Sequence, residues 1–234
     1  MSEQPFDPLQ SAKSKTAEWK AVIRLVGDST MCAYQAEHTQ REGWGMRLPA
    51  YCREGVEVCN HAISGTSTKS FEERGAWTQL LEEAAPGDFV VIGMGINDAA
   101  PKDTRPQNHT DLGGEFEGNL TRWIGELRER GTIPFLTTPT VIWAESGLAA
   151  PKPLRERYAR AILATAESCR CGVVDLHGEA FRRLAAMSRS DAARLYLADR
   201  NDYCHLNRVG ADFYAGLFAG LCKKTTHPIA SLFA

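Results

Sequence analysis

The chain has little net charge of either sign. Its 27 Lys and Arg stand against 29 Asp and Glu over 234 residues, a formal net charge of −2. There is no basic stripe to neutralise phosphates and no Lys/Arg cluster beside a hydrophobic helix, so neither nucleic acid nor a membrane surface is an expected partner. Nowhere does the chain run for about eighteen residues without a charge or a break, so no membrane-spanning helix is expected. The first twenty residues, MSEQPFDPLQSAKSKTAEWK, lack the apolar core of a secretory leader. The expected location is the cytoplasm, or outside the cell if the native start lies upstream. Seven cysteines, at 32, 52, 59, 169, 171, 204 and 222, are odd in number and form no C-x-x-C pair, which argues against a disulfide framework and a zinc module. The phosphate-cradling patterns G-x-x-x-x-G-K-[ST] and G-x-G-x-x-G are also missing, as are internal repeats and low-complexity tracts.

What is present is a regular alternation. Apolar segments at Val22 to Val26, Val56 to Cys59, Phe89 to Ile92, Ile133 to Leu136 and Val173 to Leu176 have strand length. Between them Leu120, Ile124 and Leu127, then Leu154, Tyr158 and Ile162, recur with helical period. Pro86-Gly87-Asp88, Gly131-Thr132 and Gly172 punctuate the starts of the last three strands. Helices alternating with buried strands imply a parallel sheet covered on both faces. The expected fold is α/β: one three-layer α/β/α domain, its long loops at Ala99 to Gly114 and Trp143 to Pro153 placed where ligands are usually gripped.

In an open parallel sheet the ligand crevice lies at the carboxyl ends of the strands. Three successive ends here carry small polar residues: Gly27-Asp28-Ser29, Asn60 through Ser67, and Gly93 through Asp98. Ser29, at the expected start of a helix, is a candidate nucleophile with a free backbone N–H in the positive field of the helix terminus. Asp202 and His205, three apart on an expected helical turn, form a candidate orienter and base: Asp202 would hold the Nδ1 proton and leave Nε2 for Ser29. N–H groups of Ser29 and Gly65 and the side-chain amide of Asn97 are the candidate oxyanion donors. The plainer roles are helix cap for Ser29, turn former for Asn97 and positive φ for Gly65. Cys204, beside His205, is expected to point away from it.

Gly27-Asp28-Ser29, Gly65, Gly95-Ile96-Asn97-Asp98 and Asp202-x-x-His205 resemble, in order, the four blocks of the SGNH (GDSL) hydrolase superfamily. The contexts Gly-Asp-Ser-Thr-Met, Gly43-Trp44-Gly45, Asn60 through Gly65 with Ser67, Ser70 and Phe71, and Thr138-Pro139 resemble its rhamnogalacturonan acetylesterase branch. The resemblance implies a flavodoxin-like fold with a mainly five-stranded parallel sheet. It also implies a serine esterase that removes O-acetyl groups from a pectic or other acetylated oligosaccharide, with no metal or cofactor. One departure is Ile96, where that branch usually carries histidine, which takes a polar group from the pocket wall. Asp28, Thr30, Trp44 and Trp143 are the expected substrate contacts, the tryptophans as stacking platforms for a sugar ring. The expected layout is an extension over 1–20, the hydrolase domain over 21–225 and a tail over 226–234. A lipase-like esterase or thioesterase of the same superfamily and an inactive carbohydrate-binding copy of the fold stay open; intact Ser29, Asp202 and His205 count against the second.

Overall fold

A computed structural model describes residues 21–35, 39–143 and 153–234, with side chains described from Arg155 in the last stretch. The expected N-terminal extension and most of the loop before Pro153 lie outside the described residues. The chain order is β1 (Ala21–Gly27), β2 (Val56–Asn60), α1 (Thr68–Glu73), α2 (Ala76–Glu83), β3 (Phe89–Gly93), α3 (Glu115–Glu129), β4 (Ile133–Thr137), α4 (Pro153–Ser168), β5 (Gly172–Val174), α5 (Leu176–Ala185), α6 (Arg189–Ala193), β6 (Tyr196–Leu197), β7 (Asp202–Leu206) and α7 (Arg208–Cys222).

The five expected strands form one parallel sheet in the order β2-β1-β3-β4-β5. Strand β3 is buried along its whole length, and alternate residues serve different layers. Phe89 and Val91 pack with Trp44, Tyr214 and Phe218, whereas Val90 and Ile92 pack with Phe71, Trp77 and Trp123. At about 1.5–3 kcal/mol for each fully buried large apolar side chain, these two cores fix the register of the strands. α5 and α7 cover one face; α1 to α4 cover the other. The fold is thus the expected three-layer α/β/α sandwich.

Two segments differ from expectation. The residues after 225 are no loose tail: a 3₁₀ turn over Pro228–Leu232 buries Ile229, Leu232 and Phe233 completely, and Phe233 pairs with Cys52. Three large apolar side chains in the last six residues gain more from the core than from water. Asp202 and His205 lie on no helical turn; they belong to β7, which pairs antiparallel with β6 in a separate two-stranded hairpin.

Candidate active site

The turn after β1 is held from within. Asp28 Oδ1 accepts both the backbone N–H and the hydroxyl of Thr30 at 2.9 Å, and the Asp28 carbonyl accepts from Met31 and Cys32 N–H at 3.1 and 3.0 Å. The helix expected after Ser29 is this single turn, so no helix terminus lends its field to the hydroxyl. Gly43-Trp44-Gly45 braces the turn from outside. Trp44 N–H donates to Thr30 O at 2.8 Å, and a Cβ on Gly43 would lie 2.1 Å from Cys32 O, a position only glycine can fill.

Across from this turn, Asp202 uses both carboxylate oxygens. Oδ1 accepts the backbone N–H groups of Cys204 and His205 at 3.1 and 3.0 Å, bending the strand so that residues three apart meet. Oδ2 accepts Nδ1–H of His205 at 2.8 Å. A carboxylate only accepts, so this bond fixes the tautomer and leaves the Nε2 lone pair facing Ser29 Oγ at 3.1 Å. Partial burial alone would raise the Asp202 carboxyl, but the hydrogen bonds from His205 and Cys204 outweigh it and hold the group below its ordinary value. A hydroxyl, an imidazole and an ionised carboxylate so linked can transfer a proton from Ser29 as its oxygen attacks.

Ser29 N–H and Gly65 N–H donate to no acceptor among the described residues. Gly65 holds a φ of +78°, and its segment lies along the Ser29 turn, Ile63 N–H donating to Gly27 O at 2.9 Å. Asn97, 6% exposed, gives one amide hydrogen to Thr66 O at 3.0 Å, and the second meets no acceptor among the described residues. Its neighbour Asp98 is a structural anchor, accepting from Thr68, Thr110 and Gly95.

The expected substrate contacts are corrected. Trp44 is 1% exposed and packs on Phe218 at 5.0 Å between ring centroids. Trp143 is 3% exposed and lies against Tyr203 and Tyr196. Neither offers a face to a sugar, because each ring gains more in the core than a sugar platform on the surface would return. Asp28 and Thr30 are buried against each other, and burial pushes the Asp28 carboxyl up to about 6 despite the bonds from Thr30. Cys204 is no rival nucleophile, since burial and then the charge of Asp28 push its thiol up to about 12.

Sequence reasoning missed two side chains at the site. Tyr34 donates its hydroxyl to Ser29 O at 3.0 Å, and Arg41 Nη2 lies 3.3 Å from Asp202 Oδ2. Both follow the Gly-Asp-Ser turn closely in sequence, but no motif spacing marks them. Among the described residues no three His, Cys, Asp or Glu side chains are grouped to hold a metal ion, and no helix is long and apolar enough to cross a membrane.

Residues 25–213 match the GDSL-like lipase/acylhydrolase family, and the chain belongs to that family. It is a carboxylic ester hydrolase. The chain is similar to the probable rhamnogalacturonan acetylesterase YesY of Bacillus subtilis, 28% identical over 209 residues, covering 88% of this chain and 94% of that one. It is 34% identical over 116 residues to the rhamnogalacturonan acetylesterase RhgT of the same organism, spanning 50% of this chain and 47% of that relative. The crystal structure of YxiM from Bacillus subtilis superposes with a TM-score of 0.76 at 27% identity, over 88% of this chain and 57% of that one. A mutant acetylxylan esterase from Geobacillus stearothermophilus shares the fold, with a TM-score of 0.63 at 20% identity over 87% of this chain and 95% of that one.

Proposed function

We propose that the protein is a serine esterase that removes O-acetyl groups from an acetylated oligosaccharide through an acyl-enzyme. The observation that carries this reading is the unbroken path from Ser29 Oγ to His205 Nε2 at 3.1 Å and from His205 Nδ1 to Asp202 Oδ2 at 2.8 Å. The N–H groups of Ser29 and Gly65 donate to no acceptor among the described residues. His205 takes the Ser29 proton as Oγ attacks the acetyl carbonyl. The resulting oxyanion receives the Ser29 and Gly65 N–H groups and the second amide hydrogen of Asn97. His205 returns the proton to the leaving sugar hydroxyl, then activates the water that releases acetate. Each step is carried by groups of this chain. The carbohydrate class rests on the relatives, which are named as acetylesterases of rhamnogalacturonan.

The test is hydrolysis of p-nitrophenyl esters from acetate to decanoate, beside acetate release from acetylated pectic and xylan oligosaccharides. Activity that falls with acyl length and is carried over to an acetylated oligosaccharide supports the reading. A preference for decanoate would move the assignment to a lipase-like esterase.

A further inference from the structure

We propose that Asn108 is a positioning residue that aims the Gly65 amide at the oxyanion, an inference that rests on the esterase reading above. A glycine at a φ of +78° holds this conformation without strain and leaves it as easily, and among the described residues no heavy atom beyond its two chain neighbours lies within 4 Å of where its Cβ would be. No described atom packs against that open side of Gly65, so hydrogen bonds to its two flanking peptides bear on where its N–H points.

The Ser64–Thr66 turn is closed from within by Thr66, whose N–H and hydroxyl donate to Ile63 O at 3.4 and 2.8 Å, and is gripped from outside by three further side chains. Asn97 Nδ2 donates to Thr66 O at 3.0 Å, and the Ser64 hydroxyl lies 3.3 Å from that of Tyr34. Asn108 Nδ2 donates to the carbonyl of Gly65 itself at 3.1 Å. Asn108 is 5% exposed and comes from the long loop after β3, which is itself anchored: Thr110 N–H donates to Asp98 O at 3.2 Å and the Thr110 hydroxyl to Asp98 Oδ1 at 2.9 Å. The Asn108 Oδ1 atom is buried without a hydrogen-bond partner among the described residues. An orphaned buried acceptor destabilises the fold, so the carboxamide is poorly explained as a purely structural filler. Among the described residues its side chain makes one hydrogen bond, which holds the Gly65–Thr66 peptide, joined through the Gly65 Cα to the peptide that carries the Gly65 N–H.

A donor that loses its aim costs transition-state binding and leaves ground-state binding intact. The experiment compares wild type with Asn108→Asp, which keeps the shape and removes the donor, and with Asn108→Ala. Ser29→Ala and Thr132→Val are run in parallel. Thr132→Val deletes a buried bond, Thr132 Oγ1 to Leu127 O at 2.7 Å, near the opposite end of the sheet. Both Asn108 variants are expected to lose kcat for p-nitrophenyl acetate by about ten- to a hundredfold with KM unchanged within about twofold, somewhat less than deletion of a whole donor. Phosphonylation of Ser29 by a p-nitrophenyl phosphonate, whose phosphoryl oxygen needs the same donors, is expected to slow in parallel. Thr132→Val lowers Tm but not kcat. The inference is overturned if kcat stays near wild type in either folded Asn108 variant, if the loss falls on KM, or if Thr132→Val loses kcat equally. If Ser29→Ala keeps wild-type turnover, it is the esterase reading that fails.

Discussion

Asp202→Asn removes one charge and reverses one hydrogen bond while keeping the side chain's shape. Oδ1 can still accept from the Cys204 and His205 amides at 3.1 and 3.0 Å. The group replacing Oδ2 becomes a donor facing His205 Nδ1 at 2.8 Å and Arg41 Nη2 at 3.3 Å. His205 resolves the clash by moving its proton to Nε2, and that nitrogen can no longer take one from Ser29. Loss of the correct tautomer in a serine triad costs turnover by about ten-thousandfold, or roughly 5.5 kcal/mol of barrier at about 1.4 kcal/mol per factor of ten. The assay is kcat for p-nitrophenyl acetate at neutral pH, with Tm measured on the same protein. A folded variant that keeps more than about a tenth of wild-type kcat would refute the role given to Asp202.

Burial raises the Asp28 carboxyl to about 6 in the folded protein, from 3.8. Its contribution to stability is therefore full below pH 4 and is lost as pH rises through 6, at most about 3 kcal/mol. Asp28→Asn removes that dependence, so urea unfolding at pH 4 and pH 7 should favour the variant over wild type more at pH 7; an equal difference at both would contradict it. Trp44→Ala should lower stability by about 3–5 kcal/mol, seen as a loss of Tm, with no selective rise in KM for an oligosaccharide ester. Cys204→Ala should keep kcat within a few-fold, and iodoacetamide should leave activity intact at pH 8 because the thiol is protonated there.

The sheet was legible because its central strands β3 and β4 are buried on both faces. Phe89 to Ile92 and Ile133 to Leu136 were placed within one residue of β3 and β4, since an uninterrupted apolar run between turn residues has few other uses. The pairing of Asp202 with His205 is legible from spacing, although a bent strand and not the expected helical turn brings them together. A helical turn and a bent strand both bring residues three apart together, and the two-residue strand β6 is too short to leave a periodic signal. Trp44 and Trp143 were misplaced because an aromatic residue reads alike in a core and on a binding face; α7, through Phe218, decides the matter for Trp44. Asn108 was invisible because it acts across 43 residues of sequence through one hydrogen bond, and Tyr34 because a hydroxyl reaching back five residues to Ser29 O follows no motif spacing.

The central claim is that Ser29 carries the acyl group, and the most direct measurement is to trap it. Protein turning over p-nitrophenyl acetate is quenched in acid within milliseconds, digested, and its peptides weighed. The account expects one acetyl group on the peptide containing Ser29, absent from Ser29→Ala. Acetyl on another residue at equal occupancy, or steady turnover by Ser29→Ala, would contradict it.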